Sequence, residues 1–192
     1  MGRSLYRHKS KENDTLLINL YAGPGCGKSS SMATIFSELK WLGVNCEMAP
    51  EFAKEKVWEG SLGILGNQIY VFGKQLHSIY RLLGKVEVII TDSPLLLSLI
   101  YGKNEVQQFK DLVKTVHNGL NTWNIYLNRH KAYNPAGRLQ TEEEAKQKDI
   151  EVLEMLKGEE IPFSMFDSGP ESCKLIAEEI IKRIGEDKLK YT

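Results

Sequence analysis

The chain has 192 residues, which suits one compact domain and leaves no room for two full catalytic domains with a linker. Its 25 Lys+Arg balance 25 Asp+Glu, so no global field draws it to nucleic acid or an anionic membrane, and 42% hydrophobic residues exclude a disordered tail protein. Cys26, Cys46 and Cys173 are widely spaced, with no CxxC or Cys/His pairing of a zinc site, which fits a reduced, cytoplasmic setting.

Residues 1–14 carry Arg3, Arg7, Lys9 and Lys11 without the apolar run of a signal peptide. They read either as a frayed tail or as a basic arm for a polyanion, and residues 15–192 read as a single domain. No stretch approaches the roughly 18 apolar residues of a membrane span, so no membrane partner is expected.

Leu16 to Tyr21 is a short apolar run ending in a Gly-rich turn, the pattern of a buried strand. From Lys28, the residues Met32, Ile35, Phe36, Leu39 and Leu42 fall at helical spacing, and Gly43 stands where a left-handed C-cap belongs. A second strand over Val44–Ala49 is stopped by Pro50, and Asn67–Leu83 carries Ile69, Phe72, Leu76, Ile79, Tyr80 and Leu83 on one helical face. Val86–Asp92 reads as the central strand, after which Ser93-Pro94 opens a helix; Trp123–Asn128 and Ile161–Phe166 are the fourth and fifth strands. Between these two lie a polar loop, Arg129–Gln140, and a long charged helix opened by the capping box Thr141-Glu142-Glu143-Glu144. The last helix, Pro170 to about Gly185, sets Cys173, Ile176, Ala177, Ile180, Ile181 and Ile184 in one stripe. Alternating strands and helices predict an α/β fold of three layers, with a parallel five-stranded sheet flanked by helices.

Ala22-Gly23-Pro24-Gly25-Cys26-Gly27-Lys28-Ser29 fits the P-loop pattern with Ala in place of the opening Gly, between a strand and a helix as the mechanism requires. Glycines allow successive N–H groups to turn onto phosphate oxygens, and the helix N-terminus adds its dipole. Lys28 would bridge β- and γ-phosphates, the Ser29 hydroxyl can ligate Mg²⁺, and Ser30 completes the phosphate-binding stretch from Gly23. Asp92, at the carboxyl end of a strand, is a candidate for the Mg²⁺ shell or an N-cap for the helix that follows. Glu51 holds the equivalent place after the second strand, as a base for the attacking hydroxyl or as one surface charge among many in Glu51–Glu59. The basic loop with Arg129, His130, Lys131, Tyr133 and Arg138 reads as a lid, about 129–140, that brings arginines to the phosphates, or as a solvated loop paired with Glu142–Glu144. Gln68, Tyr70, Phe72, Gln75 and His77 precede the Asp92 strand and are candidates for contact with a base, Phe72 being also a core candidate. Cys26 reads as a small filler.

With the P-loop, Pro50-Glu51-Phe52-Ala53-Lys54, Thr91-Asp92-Ser93-Pro94 and Tyr133-Asn134-Pro135-Ala136-Gly137-Arg138 in this order, the chain resembles small P-loop kinases of phage type from about Leu16 to Phe166. Among these it is similar to the thymidylate-kinase-related enzymes that phosphorylate 5-hydroxymethyluracil within DNA, and more distantly to ribosylnicotinamide and deoxynucleoside kinases. The resemblance implies ATP with Mg²⁺ as donor and a hydroxyl of a nucleoside-type group as acceptor, free or as a base in DNA. It implies phosphate and metal roles for Lys28 and Ser29, metal or base roles for Asp92 and Glu51, and a lid role for Arg129 and Arg138. An ATP-switched ATPase without an acceptor is the rival expectation.

Overall fold

The computed structural model describes residues 15–130, 133–134 and 141–185. Arg3, Arg7, Lys9 and Lys11 of the tail, Lys131 and Arg138 lie outside the described residues.

The first strand, β1 (Leu16–Tyr21), is buried along its whole length. Its alternation sends Leu16, Ile18 and Leu20 to one apolar cluster and Leu17 and Tyr21 to the other. A strand apolar on both faces must be covered on both, and β1 sits mid-sheet in the order β2 (Cys46–Ala49), β3 (Val88–Thr91), β1, β4 (Thr122–Asn128), β5 (Phe163–Asp167). All four pairings are parallel, with Ile18 opposite Ile90 on one side and Trp123 on the other.

One face is covered by α1 (Lys28–Trp41) and α7 (Pro170–Ile184), through Ile35, Leu39, Ile176 and Ile180. Across the sheet, α3 (Gln68–Tyr80), α4 (Leu97–Tyr101), α5 (Gln107–Asn118) and α6 (Glu142–Gly158) contribute Phe72, Leu97, Val113 and Leu156. Each fully buried aliphatic of this kind contributes about 1.5–3 kcal/mol, so the three layers are driven from both faces of the central strands.

Gly43 has the expected left-handed φ of 79°, and the Val44 N–H closes α1 onto Leu39 O at 3.0 Å. That bond withdraws Val44 from the ladder and starts β2 at Cys46. The expected stripe on α3 is corrected at Ile69, which is 52% exposed while Phe72, Gln75 and Ile79 are buried. Ser93-Pro94 leads to two helices rather than one, because the chain breaks at Gly102, where a Cβ would stand 2.6 Å from Ser98 O. Between β2 and α3 lie α2 (Phe52–Trp58) and a 3₁₀ turn (Leu62–Gly66), neither with a buried residue and so neither with an apolar stripe to betray it. Among the described residues no helix is long and apolar enough to cross a membrane.

Candidate active site

The loop from Ala22 to Gly27 joins the carboxyl end of β1 to the first turn of α1. Gly25 (φ 76°) and Gly27 (φ 108°) adopt left-handed backbone, which a Cβ disfavours. Gly27 caps α1, and no acidic residue in the first turn offsets the positive end of that helix. Lys28 Nζ folds back on the loop and donates to Ala22 O at 2.8 Å and Gly23 O at 3.0 Å.

Because β2 and β3 flank β1 on one side, Glu51 after β2 and Asp92 after β3 come to the same edge of the sheet as the loop. Gln75, 4% exposed, ties their neighbours together. Its Nε2 donates to Thr91 Oγ1 at 3.2 Å and Ala49 O at 3.3 Å, and its Oε1 accepts from the Phe52 N–H at 3.3 Å. These bonds give the Gln75 amide a scaffold role at the wall of the cavity that it lines. Asp92 is 2% exposed and its Oδ1 has no hydrogen-bond partner among the described residues. The cap reading of Asp92 gives way, since α4 starts at Leu97 with Leu96 at the N-cap and no side-chain cap bond.

Loop and carboxylates share one cavity of about 410 Å³, the size of a small-molecule site. Pro24, Gly25, Gly27, Lys28, Ser29 and Ser30 line it together with Glu51 and Asp92. Val57, Trp58, Leu65, Val71, Leu97 and Tyr101 add an apolar and aromatic wall, with Gln68 fixed beside it through Nε2 to Leu65 O at 2.6 Å. Among the described residues no three His, Cys, Asp or Glu cluster as a metal site. A divalent cation held by Ser29 and the unpartnered Asp92 oxygen would therefore complete its oxygen shell from phosphate and water, a donor set that suits Mg²⁺.

Among the described residues, the expected Gly23, Cys26 and Arg129, the base-contact candidates Tyr70, Phe72 and His77, and the lid residues His130 and Tyr133 fall outside the cavity lining. Cys26 is buried, its Sγ donating to Leu127 O at 3.2 Å, and burial pushes its thiol pKa up, as the filler reading requires. Gly23 faces α6 instead. Arg129, expected on a mobile lid, is anchored to the loop: Nη2 donates to Pro24 O at 2.8 Å and Nε to Asp149 Oδ2 at 2.7 Å. Burial works against the guanidinium charge, but the hydrogen bond and charge of Asp149 outweigh it and hold the pKa above its ordinary value. Glu142 pairs with Lys146 and Glu144 closes the capping box with Thr141, so two of the three acids that open α6 are engaged within the helix's own first turns.

Asp149 is the residue that sequence reasoning missed. Ala145, Val152 and Leu156 are buried on α6, and residue 149 falls in that same four-three-four spacing, so a carboxylate interrupting an apolar stripe was the available signal.

No family model matches the sequence, and no curated protein matches it. The fold is similar to the NadR protein in complex with NR, at TM-score 0.62 and 11% identity over 88% of this chain. This chain spans about half of that one, 52%. It is also similar to deoxyadenosine kinase from M. mycoides with bound dATP, at TM-score 0.50 and 18% identity, covering 85% of this chain and 98% of that one. The chain shares with these two structures an α/β fold, a five-stranded parallel sheet flanked by helices, with the glycine-rich loop at the junction of β1 and α1.

Proposed function

We propose that this protein is a P-loop kinase that moves the γ-phosphate of ATP onto a hydroxyl of a nucleoside-type acceptor. One observation carries the reading: a phosphate-type loop with Lys28 and Ser29 shares a single cavity with two carboxylates, Glu51 and Asp92, and an aromatic wall. The fold likeness to two structures, one with NR and one with dATP bound, supports it.

In this scheme Lys28 leaves the carbonyls of Ala22 and Gly23 for the β- and γ-phosphates, while Ser29 and Asp92 would hold Mg²⁺, which would supply charge neutralisation on the phosphates. The acceptor ring lies against Trp58 and its neighbours on the cavity wall. Glu51 takes the hydroxyl proton as the acceptor oxygen bonds to the γ-phosphorus and the bond from that phosphorus to the β–γ bridging oxygen breaks, releasing ADP.

Within this reading the finer candidate acceptor is the hydroxymethyl group of 5-hydroxymethyluracil in DNA, supported by the sequence resemblance. A duplex base would have to leave the stack to reach Glu51. Lys103 and Lys110, joined by a 2.8 Å bond from Lys110 Nζ to Lys103 O, and the cations of residues 1–14 would meet the flanking phosphates.

The test is transfer of labelled γ-phosphate to free nucleosides, nucleoside monophosphates, ribosylnicotinamide, ordinary DNA and hydroxymethyluracil DNA, at low and high salt. Transfer that Lys28→Ala abolishes supports the kinase reading, and a steep loss with salt assigns the acceptor to DNA. ATP hydrolysis with no acceptor labelled would replace the kinase by an ATPase.

A further inference from the structure

We propose that Asp149 is a positioning residue for the nucleotide loop, acting through Gly23 and Arg129 rather than on substrate. The inference rests on the loop being a triphosphate site.

The opening of the loop has four backbone groups held by three side chains. Lys28 takes the carbonyls of Ala22 and Gly23. Asp149 Oδ1 accepts from the Gly23 N–H at 2.6 Å, and Arg129 Nη2 donates to Pro24 O at 2.8 Å. A 2.7 Å bond from Arg129 Nε to Asp149 Oδ2 closes the circuit, so the carboxylate and guanidinium together span two consecutive loop residues. Pro24 has no N–H, so its carbonyl is the only backbone group it can offer.

These contacts divide by what a nucleotide would do to them. Phosphates draw Lys28 away from the two carbonyls, and the Asp149–Arg129 pair is what still holds the turn when Lys28 has left. The pair is shielded, with side chains 12% and 15% exposed, so losing one partner strands the other's charge away from water. Its frame is fixed as well. Tyr126 OH donates to Asp149 O at 3.0 Å, and burial pushes that phenol up to about 12, so it remains a donor at any working pH.

The experiment measures ATP affinity by calorimetry and melting temperature on the full chain for the parent, Asp149→Asn, Arg129→Lys and the double variant. Asp149→Asn is expected to weaken ATP binding about tenfold, within the range of couplings inside one hydrogen-bonded network. Arg129→Lys keeps the charge and loses the fork between Asp149 and Pro24, and should weaken binding to a similar degree. The double variant should bind no worse than either single change. In turnover, the KM for ATP should rise with kcat within about threefold, the mark of lost ground-state binding. ATP affinity unchanged in Asp149→Asn, with only the melting temperature lowered, would make the pair a staple for α6 and overturn the proposal. Should Asp149→Asn not fold, parent-like ATP affinity in a folded Arg129→Lys overturns it equally. A parent that binds no ATP sinks the nucleotide reading itself.

Discussion

A Cβ on Gly23 would stand 2.5 Å from the carbonyl oxygen of Ala145, with Asp149 N at 2.9 Å. Both are backbone atoms of α6, so nothing flexible can yield, and φ at Gly23 is not left-handed, which leaves contact rather than torsion as the constraint. Gly23→Ala is therefore expected to push loop and helix apart. Overpacking of this kind costs about 1–3 kcal/mol, read as a lowered melting temperature together with weakened ATP binding. A variant that melts and binds like the parent would show the α6 contact to be slack.

Asp92→Asn should separate activity from stability. The carboxylate is buried and its Oδ1 has no partner among the described residues, an unfavourable state for a charge in the absence of ligand. The amide keeps the shape and removes the charge, so the melting temperature should hold or rise. Phosphate transfer should fall on the order of 10²-fold, about 3 kcal/mol of transition-state stabilisation, with a higher Mg²⁺ requirement. A parent-like rate at parent-like Mg²⁺ would remove Asp92 from the site.

The sheet and the loop were legible because their signals are local. Leu16–Tyr21 is an apolar run, broken only by Asn19, that leads into a glycine-rich turn, the pattern of a strand buried on both faces. Glu51 and Asp92 could be placed at one edge because parallel topology puts every strand's carboxyl end on the same side. What escaped depends on long-range pairing. Gln75 looked like a polar residue on the way to a ligand, yet its partners Ala49 and Phe52 lie over 20 residues away and Thr91 lies 16 away. Arg129 was visible as a basic residue after β4, but its fixed position depends on a carboxylate 20 residues on, in a helix whose many acids mask the one that turns inward.

Gln75→Leu tests whether that amide aligns the two carboxylates. The change leaves the Phe52 N–H without its acceptor and removes a donor from Ala49 O and Thr91 Oγ1. Thr91 Oγ1 keeps its bonds to Ala49 O and the Ser93 N–H, so the strand end survives and the α2 start is the part set loose. Stability should drop about 1–3 kcal/mol by urea denaturation. Assayed well below the melting temperature, transfer should still be slow, because Glu51 directly precedes the freed residue. Full activity under those conditions would reduce Gln75 to a core hydrogen bond.

His117 sets a pH dependence that can be measured apart from catalysis. It is 5% exposed on the core face of α5, beside Val113 and Val116 in the chain's buried stripe, and burial lowers its pKa from 6.5 to about 4. The folded chain thus keeps the imidazole neutral where the unfolded chain protonates it. Above pH 6.5 neither state binds the proton and the residue contributes nothing to the slope. As pH falls from 6.5 toward 4 the unfolded state gains protons that the folded state refuses, so stability is lost across that window, by about 3 kcal/mol at its lower end. Carboxylates titrate in the lower part of the same range, and a matched variant isolates the histidine. In His117→Leu, whose side chain cannot take a proton, the urea-derived stability should fall less between pH 7 and 4.5 than in the parent, the two curves diverging below pH 6.5. Parallel curves would mean that His117 is protonated in the folded core without penalty, and that the burial argument fails for this site.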